Sequence, residues 1–566
     1  MGNRSRALVE ALAAGAPRFS PLDRGRKLRL LAQLAECPIG RPALLLQFHE
    51  TLCFLQAYPD DRRVLALADR ALEAFPARVR RLGTPALARL HDSGIAGTTL
   101  DYPFGLPFAR WLASRFPGDV DVAWAKYEEG ERLEEALGLV VARAEEDAFS
   151  EGGLGWRRWL RAARGGRRLS DLQILLERFE RAALPEETRD WLFECLELPI
   201  RWRLRGPGPS RTFARLPWPR PFFHRAGLRR PGPDLVREME RPLPLPRRAP
   251  RPLAESIIEA ARLALATRLR ELHAFAHPNP EDILLVDPGR GLRIALIGLL
   301  PEFRLPIEGY YPFFALKNGV PVGYGGGWGL FGTLEFGFNI FPSFRQGESA
   351  FILSQVLRVY QQVLGIRTVV VDPAQIGRGN PEALRSGAFY FYHRLGFRPR
   401  DPAVVRLCRE EQAKIARDPS YRSPIPALKR LAEAEIYLTL PGGSPEPEKR
   451  LRASRVAALV TRRIAREFGG DRAEAVRHAS ARVAKALGVS SWRAWPPDER
   501  RGFEQLSVVA ALIPDLARWP AADRRGLARV FRAKGGRSEL PYIGLLNGHR
   551  RFRASLEALV AASPAP

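Results

Sequence analysis

Residues 345–350, with the sequence RQGESA, have the composition and the position of an anion-binding turn. They follow an apolar run that stops at Pro342, and they lead into a helix that we expect to begin near Gly347. The first backbone amides of a helix have no carbonyl partner within it, and the helix dipole adds partial positive charge at the same end. The sequence therefore predicts a site for a phosphate or another anion at this turn.

A carboxylate lies in the strand-like run before this turn. Successive side chains of a strand point to opposite faces, so the run LEFGFNIF places Glu335 on the same face as Gly337 and Asn339. The other face carries only apolar side chains. We therefore expect one face of this strand to pack against a core and Glu335 to lie on the other.

An aromatic helix is predicted after the turn, in the stretch NPEALRSGAFYFYHRLGF. Asn380 has the position of an N-cap, Pro381 suits the first helical residue, and Gly396 suits the left-handed residue that ends a helix. Because residues three or four apart share a helix face, Phe391 can pack inward while Tyr392 points elsewhere. An aromatic run of this kind usually fills a core, and its neighbours decide whether it also faces a ligand.

The elements that must position these residues are predicted by periodicity. From about residue 5 to 204, and again from 409 to 566, apolar residues recur at intervals of three and four, which indicates helices. Between these regions come a helix over 253–275 and then the only strand-like runs of the chain, including hairpins at DPGRG and at Lys317-Asn318-Gly319. We expect an α+β protein in four parts: an N-terminal helical domain (1–204), a linker or arm (205–252), a mixed α/β domain (253–408) and a C-terminal helical domain (409–566).

The arm contains twelve prolines and twelve arginines. Proline cannot donate a backbone hydrogen bond and blocks the helix interior, so we expect neither a helix nor a central strand there. The segment is predicted to be a spacer or an extended arm on a neighbouring surface. A ligand for a proline-binding domain is the alternative.

The net charge of +27 is typical of proteins that bind nucleic acids. However, only 8 of the 89 basic residues are lysine, and this arginine bias is what a GC-rich genome would give to any protein. The basic residues are also spread along the chain and mixed with acidic ones. Attraction to acidic partners in general is the broader expectation, and nucleic acid stays open as an alternative partner.

The cysteines and the apolar segments limit the class of protein. Four cysteines are far apart and form no CxxC motif, which predicts free thiols, with neither a zinc site nor a disulfide framework. No apolar segment is long enough to span a bilayer, and the N-terminus indicates an amphipathic helix rather than a signal peptide. We expect a soluble cytoplasmic protein without a bound metal.

The central region resembles the GNAT superfamily of N-acetyltransferases over about residues 280–405. The resemblance rests on four stretches: VPVGYGG, LEFGFNIFPSFRQGESAFILSQVL, IRTVVVDP and AFYFYHRLGFRPR. It implies that these stretches correspond to the family's third and fourth strands, its pyrophosphate-binding turn and helix, its fifth strand and its helix ending Tyr-x-x-Leu-Gly-Phe. The central part would then be a GNAT-like mixed α/β domain between helical regions.

The resemblance also implies a cofactor and roles for individual residues. Acetyl-coenzyme A or another acyl-coenzyme A would bind between two splayed strands, with its pyrophosphate at the turn. Tyr392 would act as a general acid toward the departing thiolate, and Glu335 would be a candidate general base. The residues implied in cofactor binding are Phe341, Arg345, Gln346, Gly347, Ser349, Ala350 and Arg385. The sequence departs from the family pattern at Glu348, which stands where the turn's first glycine is expected, and at Arg385, where many members carry asparagine.

Three functions follow from these observations. The first is an N-acyltransferase that moves an acyl group from acyl-coenzyme A to an amine of a small molecule or a protein. The second is a GNAT-like interaction module that has lost catalysis, favoured by Glu348 and Arg385. The third is a basic nucleic-acid-associated protein, favoured by the net charge and the arm.

Overall fold

The computed structural model describes residues 2–149, 153–206, 208–229, 234–443 and 450–563. Helices make up 56% of the structure and strands 13%, with a central mixed sheet and helices at both ends. The predicted α+β fold class is therefore confirmed. None of the helices formed by the described residues is long and apolar enough to cross a bilayer.

The described strands are β1 (Thr99–Tyr102), β2 (Val120–Val122), β3 (Ile200–Arg203), β4 (Arg247–Arg248), β5 (Pro278–Gly289), β6 (Leu292–Leu299), β7 (Gly309–Tyr310), β8 (Phe313–Lys317), β9 (Val320–Leu330), β10 (Thr333–Ile340), β11 (Thr368–Val371), β12 (Arg398–Pro399) and β13 (Ile436–Thr439).

The described helices up to the central region are α1 (Gly2–Gly15), α2 (Pro21–Glu36), α3 (Pro42–Ala57), α4 (Arg62–Glu73), α5 (Phe75–Arg80), α6 (Thr84–Ala88), α7 (Leu106–Arg115), α8 (Gly130–Val140), α9 (Gly155–Arg164), α10 (Asp171–Arg181), α11 (Glu186–Cys195), α12 (Leu235–Glu240), α13 (Arg251–Ala266) and α14 (His273–Ala276). The later ones are α15 (Ser349–Leu364), α16 (Pro373–Ile376), α17 (Pro381–Ser386), α18 (Ala388–Arg394), α19 (Pro402–Arg417), α20 (Ile425–Leu431), α21 (Ala453–Phe468), α22 (Arg472–Leu487), α23 (Pro497–Ala510), α24 (Ala521–Lys534), α25 (Leu540–Gly548) and α26 (Arg550–Ala561).

These elements form two compact units. The first contains the N-terminal helices together with two short later segments, and its ranges are Met1–Leu228, Glu255–His277 and Lys317–Pro321. The second contains the large sheet and the C-terminal helices, and its ranges are Arg229–Ala254, Pro278–Leu316 and Val322–Pro566.

The first unit contains a small sheet that the sequence analysis missed. Strands β1, β3 and β2 form an antiparallel sheet in that order, with Leu100 and Val120 both opposite Trp202. The prediction that strands occur only in the middle of the chain was therefore wrong. These strands are three or four residues long, which is too short for alternation to stand out within a helical region.

The second unit is built on one mixed sheet. Its strand order is β12-β13-β11-β10-β9-β8-β6-β5-β4, and β7 pairs with β9. β10 and β11 run parallel, whereas β10 with β9 and β11 with β13 are antiparallel. β13 lies in the region predicted to be wholly helical, so that prediction was also wrong. The sheet thus extends beyond residue 408 and takes a strand from the C-terminal region.

The alternation predicted for β10 is confirmed. Leu334, Phe336, Phe338 and Ile340 are buried, whereas the residues between them are half-buried. On the buried face, the ring of Phe336 lies 5.6 Å from that of Tyr360 in α15. This helix begins at Ser349, two residues after the predicted start. One face of the sheet is therefore covered by α15, and the face with Glu335 is more open.

Turn and helix-end residues behave as predicted at some positions and not at others. The Asn318-Gly319 turn has φ values of 50° and 81°, as the tight hairpin requires. The helix predicted over 253–275 instead ends at Ala266, because Leu269 adopts a left-handed conformation and the chain turns back through a hydrogen bond from the Arg270 amide to the Leu265 carbonyl.

The arm contains more regular structure than its prolines suggest. Leu235–Glu240 forms α12 and Arg247–Arg248 forms β4 at the end of the sheet. The prediction that this segment holds no helix was wrong for these six residues, because α12 lies in a stretch without proline. The Gln362 side chain of α15 donates to the carbonyls of Met239 and Arg241, so this part of the arm is fixed on the second unit.

We predict that strand β9 tolerates alanine at Gly329 but not at Gly327. A Cβ added to Gly327 would lie 2.1 Å from the Glu335 carbonyl oxygen, whereas the nearest atom to a Cβ at Gly329 is 3.6 Å away. Gly327→Ala should cost about 2 kcal/mol or more of unfolding free energy because a backbone atom cannot rotate away, and Gly329→Ala about 1 kcal/mol or less. Denaturant unfolding of both variants measures this, and equal midpoints would contradict the close packing of β9 on β10.

Candidate active site

The parallel strands β10 and β11 stay paired for three residues only. Thr333, Leu334 and Glu335 are opposite Thr368, Val369 and Val370, whereas β10 continues to Ile340. Along this continuation β10 remains paired with β9 on its other side, as far as Ile340 opposite Gly323. Beyond Glu335, therefore, one edge of β10 has no strand partner among the described residues, and we call the space beside this edge the gap.

Tyr392 of α18 lies at this gap. Its side chain is 3% exposed, and its hydroxyl takes part in a hydrogen bond with the backbone of Phe338. Burial raises the pKa of Tyr392 well above its ordinary value, and the hydrogen bond lowers it by less. The phenol therefore keeps its proton at neutral pH, and it lies beside the part of β10 that lacks a strand partner.

A second aromatic contact places α18 against the same stretch of strand. The ring of Phe391 is stacked on that of Phe338, with centroids 6.1 Å apart and an interplanar angle of 9°. Phe391 is only half-buried, whereas Tyr392 is buried. We expected Phe391 to pack inward and Tyr392 to point elsewhere. This expectation was wrong, because Tyr392 is the more buried of the two.

The aromatic helix is interrupted, which separates two predicted site residues. The Asn380 side chain accepts a hydrogen bond from the Ala383 amide at 3.0 Å, so the predicted N-cap is confirmed. Gly387, with φ of 67°, then ends α17 before α18 begins. Arg385 lies on α17 and is exposed, whereas Tyr392 lies on α18 and is buried. The two therefore have different surroundings.

The turn after β10 uses some of the amides that we expected to be free. The chain forms one short helical turn, Pro342–Phe344, before α15. The amide of Arg345 donates to the Pro342 carbonyl at 3.3 Å, and that of Gly347 donates to the Phe344 carbonyl at 2.9 Å. The amides of Ser349 and Ala350 lie in the first turn of α15, where no carbonyl of the same helix is available to them. An anion would thus meet fewer donors than the sequence implied.

The remaining predicted cofactor residues are divided between the core and the surface. Phe341 is 3% exposed and packs on Tyr324, with ring centroids 5.3 Å apart. Arg345 and Gln346 are exposed, and Arg345 forms a 2.5 Å ion pair with Glu382 in the first turn of α17. The structure therefore joins the turn to α17 through a surface charge pair.

Glu348, the residue that departs from the family pattern, is fully buried. Its carboxylate forms an ion pair with Arg290 at 2.5 Å and accepts a hydrogen bond from the Arg229 amide at 3.1 Å. The guanidinium groups of Arg229 and Arg290 lie over the Phe351 ring at 5.3 and 5.9 Å. The carboxylate is therefore compensated by the chain's own positive charge at the start of α15.

Glu335 lies on the opposite face of the sheet and is also paired. Its carboxylate forms an ion pair with Arg450, whose guanidinium also contacts Glu435 at 2.6 Å. Phe338, by contrast, directs its ring toward α18. The structure therefore does not bring Glu335 and Tyr392 together as an acid and base on one side of the sheet.

Comparisons with models of protein families, with curated proteins and with solved structures gave no match.

Three charged residues of this region were not found by sequence reasoning: Arg229, Arg290 and Arg450. Arg290 lies between two glycines at the tip of the β5–β6 hairpin, a signal that we interpreted only as a turn. Arg450 is 115 positions from Glu335 along the chain, and no local pattern links them. The described residues contain no group of three or more histidine, cysteine, aspartate or glutamate side chains placed to hold a metal ion.

We predict strong coupling between Glu348 and Arg290. Removing one partner leaves the other charge partly buried, so Glu348→Gln and Arg290→Gln should each destabilise the protein, and the double variant should lose less than the sum. A double-mutant cycle should give about 1–3 kcal/mol of coupling.

The matched control is the pair of Arg345 and Glu382, whose side chains are 44% and 47% exposed. The same cycle there should give less than about 1 kcal/mol. Coupling at Glu348 and Arg290 no larger than this control would contradict a structural role for the buried pair.

Proposed function

We propose that this protein is an N-acyltransferase that moves an acyl group from acyl-coenzyme A to an amine. The observation that carries the proposal is the separation of β10 from β11 after Glu335, with the Tyr392 hydroxyl hydrogen-bonded to the Phe338 backbone at the gap. The resemblance to the GNAT superfamily implies splayed strands and a tyrosine at these two places.

The chain's own groups suit the chemistry of acyl transfer. When bound, acyl-coenzyme A supplies a thioester whose C–S bond breaks as a C–N bond to the amine forms, and the thiol leaves with a proton. Tyr392, whose phenol carries a proton at neutral pH, is the group at the gap that can donate this proton. A backbone amide on the unpaired edge of β10 can donate to developing negative charge on oxygen.

Most of the rate acceleration would come from placing the amine against the thioester. Orientation of two reactants can supply several kcal/mol of a barrier, and a positioned proton donor contributes a further factor of about 10²–10⁴. Glu335 is neutralised by Arg450 on the other face of the sheet, so we assign it no part in proton transfer from the amine. Water is the acceptor of that proton.

The turn can hold a diphosphate through a small set of donors. The amides of Ser349 and Ala350 open α15, and Arg345 lies exposed beside them. Glu348 does not repel a diphosphate as an unpaired carboxylate would, since its carboxylate is buried and paired with Arg290. We propose Arg345, Ser349 and Ala350 as the residues that bind the cofactor's phosphates.

A second candidate is an interaction module without catalysis. It is favoured by the same turn, because Glu348 occupies the start of α15 and the amides of Arg345 and Gly347 are hydrogen-bonded within the turn. In this case the gap beside β10 is filled permanently by aromatic side chains. The two candidates differ in whether acyl-coenzyme A binds to the native protein.

We predict that acetyl-coenzyme A stabilises the protein. A ligand that binds only the native state stabilises it by about 2.7 kcal/mol at one hundred times its dissociation constant, which a melting curve detects. Absence of a shift with acetyl-coenzyme A and with longer acyl chains would reject the transferase and leave the interaction module. Salt-dependent binding to DNA or RNA in that case would favour a nucleic-acid-associated protein.

We predict that Tyr392→Phe separates binding from catalysis. The variant should keep the melting shift with acetyl-coenzyme A and lose transfer to a panel of amines, measured as thiol release, by about 10²–10⁴-fold. Tyr390→Phe is the matched control, because its hydroxyl is on the same helix but contacts Ser423 at 2.6 Å rather than β10. Equal activity of the Tyr392 variant and the Tyr390 control would remove Tyr392 from the reaction.

A further inference from the structure

The positive charge of the chain is concentrated in its C-terminal helices. Residues 450–563 contain 23 arginines and lysines but only 10 aspartates and glutamates, so they carry +13 of the net charge of +27. Residues 1–204 contain 31 basic and 29 acidic residues and are close to neutral. Basic residues therefore occur throughout the chain, but their excess over acidic residues does not. A general preference for arginine does not explain this difference, because it acts on both regions.

One helix of this region, α22, has a positively charged outer face. Its inner side is formed by small and apolar side chains that are buried, whereas Arg477, Arg482 and Lys485 are exposed. None of these three side chains has an ion pair or a hydrogen bond within the parts of the chain that the structure describes. Glu474 is the only acidic residue between positions 472 and 497. The positive charge of this face is therefore left without compensation from the chain itself.

A fourth cation lies at the end of this helix. At a rise of 1.5 Å per residue, Arg477 and Lys485 are about 12 Å apart along the axis of α22. The guanidinium of Arg524, near the start of α24, donates to the Ala486 carbonyl in the last turn of α22 at 3.1 Å. Like charges three or four residues apart on a helix repel each other, as Arg482 and Lys485 do here. An anion with several charges, bound along the helix, would relieve this repulsion.

The surface of residues 450–563 favours a phosphate backbone over other acidic partners. None of the exposed large apolar side chains of the described residues lies in this range, so insertion into a membrane surface is not favoured. Its aromatic side chains are all buried or half-buried, so none offers a platform on which the bases of a single strand could stack. A nucleic-acid duplex needs neither contact, because each of its strands presents a regular row of negative charges about 3.4 Å apart along the axis.

We propose that Arg477, Arg482, Lys485 and Arg524 form a basic face that binds the phosphate backbone of a nucleic-acid duplex. The guanidinium of an arginine can donate two parallel hydrogen bonds to one phosphate, and the lysine adds a point charge. Contacts to phosphate carry no sequence information, so the basic face binds duplexes of any sequence. It shares no residue with the proposed acyl-transfer site, and its binding needs no cofactor. The protein therefore has a second binding function, which is independent of acyl transfer.

The test is the salt dependence with which the full-length protein binds a labelled DNA duplex of about 20 base pairs, measured by fluorescence anisotropy. Each phosphate that is neutralised contributes about −0.9 to the slope of log K against log salt concentration, so four cations predict a slope of about −3 to −4. The triple variant Arg477→Gln, Arg482→Gln and Lys485→Gln should reduce the size of the slope by about 2–3 and weaken binding at low salt at least about tenfold. Glutamine is a good helix former, so α22 should stay folded.

The matched control removes the same charge from the first unit. Arg26, Arg29 and Arg63 are exposed there, and their joint replacement by glutamine should leave the slope unchanged and alter the affinity less than about threefold. If the triple variant of α22 does not fold, its three single variants replace it, and each should reduce the size of the slope by about 1.

Equal slopes for the two triple variants would overturn the inference, because binding would then follow the net charge and not the basic face. A slope near zero for the unmodified protein would also overturn it. Competition by polyglutamate or by anionic lipid vesicles as strong as that by unlabelled duplex, at equal concentration of negative charge, would assign the face to another acidic partner and reject a nucleic acid. An unchanged melting shift with acetyl-coenzyme A in the triple variant of α22 would support the independence of the two binding functions.

Discussion

The arrangement of the second unit depends on where the pairing between β10 and β11 ends. β10 is paired on both edges up to Glu335 and on one edge from there to Ile340. Backbone polar groups that lack a strand partner and are removed from water must find another partner. The Tyr392 hydroxyl provides one at Phe338. The position of α18 therefore follows from the gap that the strands leave.

Two ion pairs hold the elements on either side of this gap. At the start of α15, Glu348 is bound to Arg290 of the β5–β6 hairpin. On the open face of the sheet, Glu335 is bound to Arg450, which also reaches Glu435 next to β13. Buried ion pairs add little net stability compared with apolar contacts, but they penalise alternative arrangements that leave a charge unpaired. Each pair thus holds a carboxylate in one arrangement within the second unit.

Local features of the chain could be predicted from the sequence. The hairpin turn at Asn318-Gly319, the N-cap at Asn380 and the alternation of β10 each depend on a few neighbouring residues, and all are confirmed. α15 was placed within two residues because its apolar positions repeat over four turns. A repeat of apolar residues predicts secondary structure directly, because it depends only on neighbouring positions in the chain.

Features that depend on distant partners could not be predicted. β13 is four residues long and is paired with β11 and β12. Its Ile, Tyr and Thr residues are common in strands, but four residues are too few for such a preference to stand out within a helical region. The break at Gly387 was not predicted, because the N-cap at Asn380 and the stop at Gly396 fitted the two ends of one continuous helix. The surroundings of Glu335 and Glu348 depend on arginines from distant segments, so the sequence placed both carboxylates near a cleft and left their charges uncompensated.

The central claim is that the unpaired edge of β10 receives the acyl group, and amide hydrogen exchange of this strand with and without acetyl-coenzyme A tests it most directly. The account predicts slower exchange over residues 336–341 at saturating ligand, with no change in β3 (Ile200–Arg203) of the first unit. The same exchange rates over residues 336–341 with and without the ligand would contradict it.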